Sequence, residues 1–140
     1  MHLEKQFDVE RSRESAVEIV SRDETLTGLF PDTKTEIVDS GRSRKTTRTQ
    51  YTALGRPGTA TFHFTYTDDG NVEFEKVCDG NVWQELRGTL TFTERGERTR
   101  VCIEMDGRTK TFVPEFTIRG PMRDQIEQMA AALREHLEGD

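Results

Sequence analysis

Residues 120–140 read GPMRDQIEQMAAALREHLEGD and indicate one amphipathic helix. Pro121 suits the first turn of a helix, and Gly139 is a plausible C-cap. Apolar side chains recur at three- and four-residue spacing, which places them on one face of the helix. These side chains belong to Met122, Ile126, Met129, Leu133 and Leu137. The helix therefore needs an apolar surface to cover, and the rest of the chain must supply it.

Most of the chain before this helix is predicted to form β-strands. The turn sequences DSGRS, LGRPG, DDGN, CDGN and ERGER recur at regular intervals, and Asp-Gly pairs are strong hairpin signals. Short turns between adjacent strands predict an antiparallel meander. The predicted strands are Thr35–Ser40, Lys45–Leu54, Thr59–Thr67, Val72–Cys78, Val82–Thr93 and Thr99–Asp106.

One further strand and two short helices are predicted before the meander. HLEKQFDV alternates apolar and polar side chains, as a half-buried strand does. RSRESAVEIVSR changes to a helical period, with Ser12 as the N-cap. DETLTGLF predicts a second helix capped by Asp23 and ended by Pro31.

The meander strands each carry one apolar side, which predicts one sheet with a single covered face. In NVWQELRGTLTF, strict alternation places Gln84 on the apolar side with Leu86 and places Trp83 on the opposite side. TKTFVPEFTIR is predicted to connect the sheet to the last helix, with Phe112, Phe116 and Ile118 tucked into the core.

This order of elements predicts an α+β fold in a single domain spanning residues 1–140. The long C-terminal helix covers a curved seven-stranded antiparallel sheet, and the two short helices after the first strand close one end.

Composition narrows the classes of partner. The net charge is −6 and the pI is about 5.2, which argues against nucleic acid and anionic membrane surfaces as main partners. No apolar run approaches the ~18 residues of a membrane span, so no integral membrane segment is predicted. The polar start MHLEKQFDVE is unlike a signal peptide, and the default prediction is a cytoplasmic protein.

No catalytic motif is visible in the sequence. The three histidines are far apart, and there is no Gly-rich phosphate loop, Ser-centred elbow or HExxH, so we predict no metal and no cofactor. Tyr51, Tyr66 and Gln84 either hydrogen-bond within the protein or orient a ligand. Asp39 and Asp106 would be acid–base candidates if they pointed inward, although solvated positions at strand ends are the simpler interpretation.

FDVERSRESAVEIVSRDETLTGLFPD, LTFTERGERTRVCIEMDG and the C-terminal helix resemble the START-like, Bet v 1-like (SRPBCC) superfamily. The resemblance is to its branch of polyketide cyclase/dehydrase and lipid-transport proteins, which have the helix-grip fold. It implies the strand order 1-7-6-5-4-3-2, in which a third strand separates Cys78 from Cys102. Two strand spacings of roughly 4.8 Å exceed the reach of a disulfide, so we predict none.

The resemblance also implies an internal cavity between the sheet and the long helix. We expect a small hydrophobic or amphipathic molecule, lipid- or polyketide-like, to bind there, beside residues 122–129, with dry packing at Leu133 and Leu137. The predicted ligand-binding residues are Tyr51, Phe62, Phe64, Tyr66, Phe74, Gln84, Leu86, Met105, Met122, Ile126 and Met129.

Two other functions remain open at the level of sequence. One is a cyclase- or dehydratase-like enzyme acting on a polyketide-type substrate, with Tyr51, Tyr66 or Asp39 as acid–base candidates. The other is a protein-interaction module built on the same scaffold.

Overall fold

The computed structural model describes residues 1–31, 33–53 and 55–139. The chain begins with β1 (His2–Val9), α1 (Arg13–Val20) and α2 (Asp23–Thr27). It continues with β2 (Lys34–Ser40), β3 (Arg44–Ala53), β4 (Arg56–Tyr66), β5 (Val72–Lys76), β6 (Trp83–Arg95), β7 (Arg98–Thr109) and α3 (Glu115–Glu138). The predicted order of elements is confirmed. Leu54, the predicted end of the third strand, lies outside the described residues.

The strands form one seven-stranded antiparallel sheet in the order β1-β7-β6-β5-β4-β3-β2. This is the order that the resemblance implies. Cys102 lies on β7 and Cys78 follows β5, so β6 separates them, and both cysteines are free.

Local signals explain the two short helices. The Ser12 hydroxyl accepts a hydrogen bond from the Ser15 backbone N–H at 3.1 Å, which confirms the predicted N-cap of α1. In α2, Asp23 is the first helical residue and Arg22 holds the cap position. The Asp23 carboxylate still lies in the first turn, where the helix dipole favours negative charge.

The core lies on one face of the sheet, under α1 and α3. Val9, Leu90, Ile103, Leu133 and Leu137 are almost completely buried there. An aromatic row extends along the same face, with ring centroids 5.8 Å apart for Phe30–Phe62, 6.2 Å for Phe62–Phe64 and 6.0 Å for Phe64–Phe74. The predicted single apolar face therefore holds across the sheet.

The final helix begins earlier than predicted. Pro114 occupies the N-cap position and Glu115 starts α3, so Pro121 lies inside the helix instead of in its first turn. Pro121 is exposed; it removes one backbone hydrogen bond of the helix, and its ring crowds the carbonyl of Thr117.

The prediction that Phe112 and Phe116 tuck into the core is wrong. Their exposed fractions are 96% and 82%. Phe112 lies in a turn after β7, and Phe116 lies roughly 120° around α3 from Met122 at ~3.6 residues per turn. Because Met122 belongs to the buried stripe, helix geometry itself directs Phe116 away from the sheet.

Candidate functional site

A cavity of about 510 Å³ lies between the sheet and the N-terminal half of α3. It opens beside the segment after α2 and the connection between β5 and β6. Its apolar lining consists of Phe30, Ala60, Phe62, Val82, Trp83, Leu86, Ile118, Pro121 and Met122. Its polar lining consists of Thr33, Thr49, Tyr51, Lys76, Asn81, Asp124, Gln125 and Gln128, with the backbone at Gly80.

Strand alternation places one wall of the cavity. Ala60 and Phe62 are two residues apart on β4, so both face inward, and Ala60 is paired with Thr49 on β3. The Phe30 ring stacks on the Phe62 ring from the segment after α2. This wall is therefore aromatic where β4 and the α2 segment meet.

A β-bulge brings Trp83 into the cavity wall. Trp83 pairs with Thr109 and Glu85 pairs with Arg108, so Gln84 is an extra residue on β6. The predicted positions of Trp83 and Gln84 are therefore both wrong. Trp83 is 8% exposed and shares the inner face with Leu86, whereas the Gln84 side chain is exposed and does not line the cavity.

Gly107 makes room for the indole. It pairs with Leu86, and a Cβ atom added there would lie 2.5 Å from Trp83 Cζ3 and 3.1 Å from Leu86 Cδ1. No side chain fits at this position while the indole keeps its place. The bulge and the glycine together fix the Trp83 ring against β7.

Tyr51 lies over Gly58 at the edge of the cavity. The two residues pair across β3 and β4, and a Cβ on Gly58 would lie 2.5 Å from Tyr51 Cζ. The ring is therefore held against the β4 backbone, with 39% of the residue exposed. This position gives the phenol access to both the cavity and solvent.

The structure brings together four of the eleven predicted ligand-binding residues: Tyr51, Phe62, Leu86 and Met122 line the cavity. Five others are buried in the core and are not among the lining residues. These are Phe64, Phe74, Met105, Ile126 and Met129. The open space lies against the side of α3 that carries Ile118, Gln125 and Gln128.

Tyr66 occupies a separate environment next to α1. Its hydroxyl donates to the Val20 carbonyl at 3.5 Å, and Lys45 Nζ lies 5.4 Å from the ring centroid. Burial, with a smaller contribution from the Asp23 charge, raises the pKa of Tyr66 to about 12. The residue is therefore a neutral phenol at physiological pH, outside the cavity lining.

The two aspartates considered from the sequence are both exposed. Asp39 follows a register shift in β2, because the pairing with β3 slips by one residue between Ile37 and Asp39. The Asp106 carboxylate accepts a hydrogen bond from His2 Nδ1 at 2.7 Å, and this bond raises the pKa of the histidine. Neither carboxylate lines the cavity.

The pairing of β1 with β7 produces a cluster that the histidine spacing did not reveal. His2, Glu4 and Glu104 each place one potential ligand atom within 4.8 Å of the others on the outer face of the sheet. All three are at least partly exposed, and His2 is already bonded to Asp106. Exposed acidic groups often cluster without a metal ion, and we assign no site here.

Other lining residues were missed for identifiable reasons. Lys76 lies two residues after Phe74 on β5, so strand alternation alone indicates that it faces inward. Ile118 packs against the core, as predicted, but it was not assigned to the cavity. The late predicted start of α3 hid its position four residues before Met122 on the same stripe. Trp83 required the bulge, which two adjacent apolar residues at 82–83 followed by Gln-Glu suggest only in retrospect.

No protein-family model matches this sequence, and no curated protein matches it. Similar folds are found among solved structures. The Zhui aromatase/cyclase from Streptomyces sp. R1128 superposes with a TM-score of 0.78 at 16% identity, covering 99% of this chain and 92% of that one. A START superfamily protein from Mycobacterium smegmatis superposes with a TM-score of 0.75 at 18% identity, covering 97% of this chain and 96% of that one.

A STAR-related lipid transfer protein fragment from Xanthomonas axonopodis gives a TM-score of 0.69 at 14% identity, covering 97% of this chain and 85% of that one. The chain therefore has the α+β helix-grip fold of the START and Bet v 1-like proteins. Among the described residues, no helix has both the length and the apolar character needed to cross a membrane.

Proposed function

We propose that the protein binds a small hydrophobic or amphipathic molecule, lipid- or polyketide-like, in the cavity between the sheet and α3. The observation that carries the proposal is a space of about 510 Å³ with mostly apolar walls. This volume is within the ~300–1,000 Å³ typical of small-molecule sites, which combine apolar walls with a few polar groups. The similar aromatase/cyclase and lipid transfer folds support the same class of ligand.

The polar lining favours an amphipathic ligand over a pure hydrocarbon. Lys76 is the only basic side chain lining the cavity among the described residues, and Tyr51, Gln125 and Gln128 add hydrogen-bonding groups. An ammonium group attracts a carboxylate or a polarised carbonyl, and a phenol or an amide can donate to one. We therefore expect the ligand to carry an acid or carbonyl oxygen at one end.

Ligand binding can be tested with a cavity-filling variant. Fatty acids, phospholipids and aromatic polyketides are screened by thermal shift, and hits are measured by calorimetry. Ala60→Phe places a ring in the cavity and should abolish binding of any hit. Thr61→Phe places the same ring on the opposite face of β4 and should leave binding unchanged. No shift across all classes, or equal binding by both variants, would refute the proposal.

A second candidate function is a cyclase- or dehydratase-like reaction in the same cavity. It is favoured by Tyr51, which lines the cavity and is the one acid–base candidate from the sequence that does so. Lys76 would orient the bound polyketide, and the Tyr51 phenol would exchange a proton with the polyketide. Tyr51→Phe should then abolish turnover of a polyketide substrate but preserve its binding. Binding without any turnover by the wild type excludes this function.

A further inference from the structure

The turn after β7 exposes two phenylalanines on an ordered backbone. The Val113 N–H donates to the Lys110 carbonyl at 2.9 Å, and the Thr109 hydroxyl donates to the Val113 carbonyl at 2.7 Å. The Thr117 hydroxyl donates to the Pro114 carbonyl at 2.6 Å at the start of α3. These bonds fix the turn, so the exposure of Phe112 and Phe116 is a property of the folded chain. Two almost fully exposed rings four residues apart are typical of an interaction surface.

The charges that share the exposed stripe of α3 with Phe116 are basic. The neighbouring Glu115 carboxylate lies 3.4 Å from the Met1 ammonium group, which offsets its charge. Phe116, Arg119 and Arg123 have the spacing i, i+3 and i+7, which places them on one exposed stripe of α3. Glu127 is the next residue along that stripe, and its carboxylate is paired with Lys5 Nζ at 3.2 Å. We call Phe112, Phe116, Arg119 and Arg123 the basic–aromatic surface.

We propose that the basic–aromatic surface docks on an anionic lipid bilayer. Aromatic rings favour the interfacial region of a bilayer, and arginines beside them favour anionic headgroups. The net charge of −6 describes the whole chain, whereas charges beyond a Debye length of about 8 Å are largely screened. The local surface therefore decides contact, even though the whole-chain charge argues against membranes.

The charge pattern also disfavours a second copy of the chain as the partner. In a two-fold symmetric dimer, the same patch on both copies meets itself. Such an interface would contain Arg119 and Arg123 from both copies, and four like charges brought together oppose association.

Docking would bring the cavity to the lipid surface. Ile118, Pro121 and Met122 line the cavity from the same turns of α3 that carry Phe116 and Arg119 on another side. A lipid-like molecule could then pass between bilayer and cavity with little exposure to water. Only this transfer of a ligand rests on the proposed function, because docking on the bilayer itself needs no ligand in the cavity.

Flotation of the full chain with vesicles tests the docking surface. Vesicles of phosphatidylcholine alone are compared with vesicles that also contain phosphatidylglycerol, and we expect binding to the second kind. Phe112→Ser with Phe116→Ser should weaken that binding by about tenfold or more. Arg119→Gln and Arg123→Gln should each weaken it roughly fivefold, at ~1 kcal/mol for each basic residue at an anionic surface.

Two exposed arginines, Arg42 in the turn between β2 and β3 and Arg44 at the start of β3, provide the matched control. Arg42→Gln with Arg44→Gln removes the same charge elsewhere and should leave flotation unchanged. Absence of wild-type binding, or full binding by the double Phe variant, would overturn the proposal. So would a wild-type dimer in light scattering that the Phe substitutions convert to a monomer.

Failure of the two proposals can be told apart. Ala60→Phe should lose soluble ligand but still float with anionic vesicles, and the double Phe variant should show the reverse. As a second readout, Phe112→Trp should show a blue-shifted emission on anionic vesicles beyond any change seen in the wild type, whose one tryptophan, Trp83, lines the cavity. An unshifted emission would contradict insertion of the ring.

Discussion

Gly107→Ala should push the Trp83 indole into the cavity. The added methyl would lie 2.5 Å from Trp83 Cζ3, about 1 Å closer than an ordinary van der Waals contact. Gly107 does not have a positive φ angle, so space alone opposes the alanine. Overpacking costs about 1–3 kcal/mol, and the open cavity permits the lower part of that range. Reduced chain entropy in the unfolded state returns roughly 0.5 kcal/mol, leaving a net loss of about 1 kcal/mol.

Gly120→Ala is the matched control in α3. Apart from its chain neighbours, nothing lies within 4 Å of a Cβ added there. The gain in helix propensity of about 0.5–1 kcal/mol is opposed by crowding between this Cβ and the ring of Pro121, so the stability should change little. Urea unfolding gives both free energies. Trp83 is the sole tryptophan, and its emission should change only in Gly107→Ala. If Gly107→Ala matches the wild type in both stability and emission, the packing described for Trp83 is incorrect.

Three further predictions test the core and its titration. Thr47→Val should raise the free energy of unfolding by about 1 kcal/mol, because the Thr47 hydroxyl is buried and has no hydrogen-bond partner in the described residues; a loss measured by urea unfolding would show that the hydroxyl is satisfied. Leu133→Ala should destabilise by about 3 kcal/mol and Met122→Ala by less, because Leu133 is fully enclosed and Met122 borders open space; equal losses in urea would contradict a local cavity. Because the folded pKa of Tyr66 is raised from 10 to about 12, its contribution to stability is complete below pH 10 and is lost as the pH rises through 12. Tyr66→Phe should remove this pH dependence of the free energy of unfolding at alkaline pH. An unchanged profile would assign the pH dependence to another group.

The sequence was sufficient to predict the inner face of most strands. Phe62, Phe64 and Phe74 alternate with polar neighbours, and a one-residue error would have put every apolar side chain into water. The strand order came from the resemblance and not from periodicity. Pairing between β1 and β7 joins residues about a hundred positions apart, which local patterns do not record.

The candidate site was harder to predict because small departures from regularity shape it. One extra residue at Gln84 reverses the face of Trp83, and a helix start at Glu115 adds Ile118 to the cavity wall. Whether an inward side chain meets packed atoms or open space depends on three-dimensional fit. Met122 and Met129 have the same pattern in sequence, yet only Met122 borders the cavity.

The Gly120–Pro121 pair separates the first turns of α3 from the rest of the helix. Pro121 has no N–H to donate to the Thr117 carbonyl, and Gly120 carries no side chain that packs against another element. The fully buried stripe begins at Met122, and Ile118 before it is only partly buried, so the turns before Met122 can open without disturbing Leu133 or Leu137. Rates of ligand entry and exit would then depend on the first two turns, while equilibrium affinity depends on the cavity walls. Substitutions at Gly120 could therefore change the residence time of a ligand while its dissociation constant stays the same.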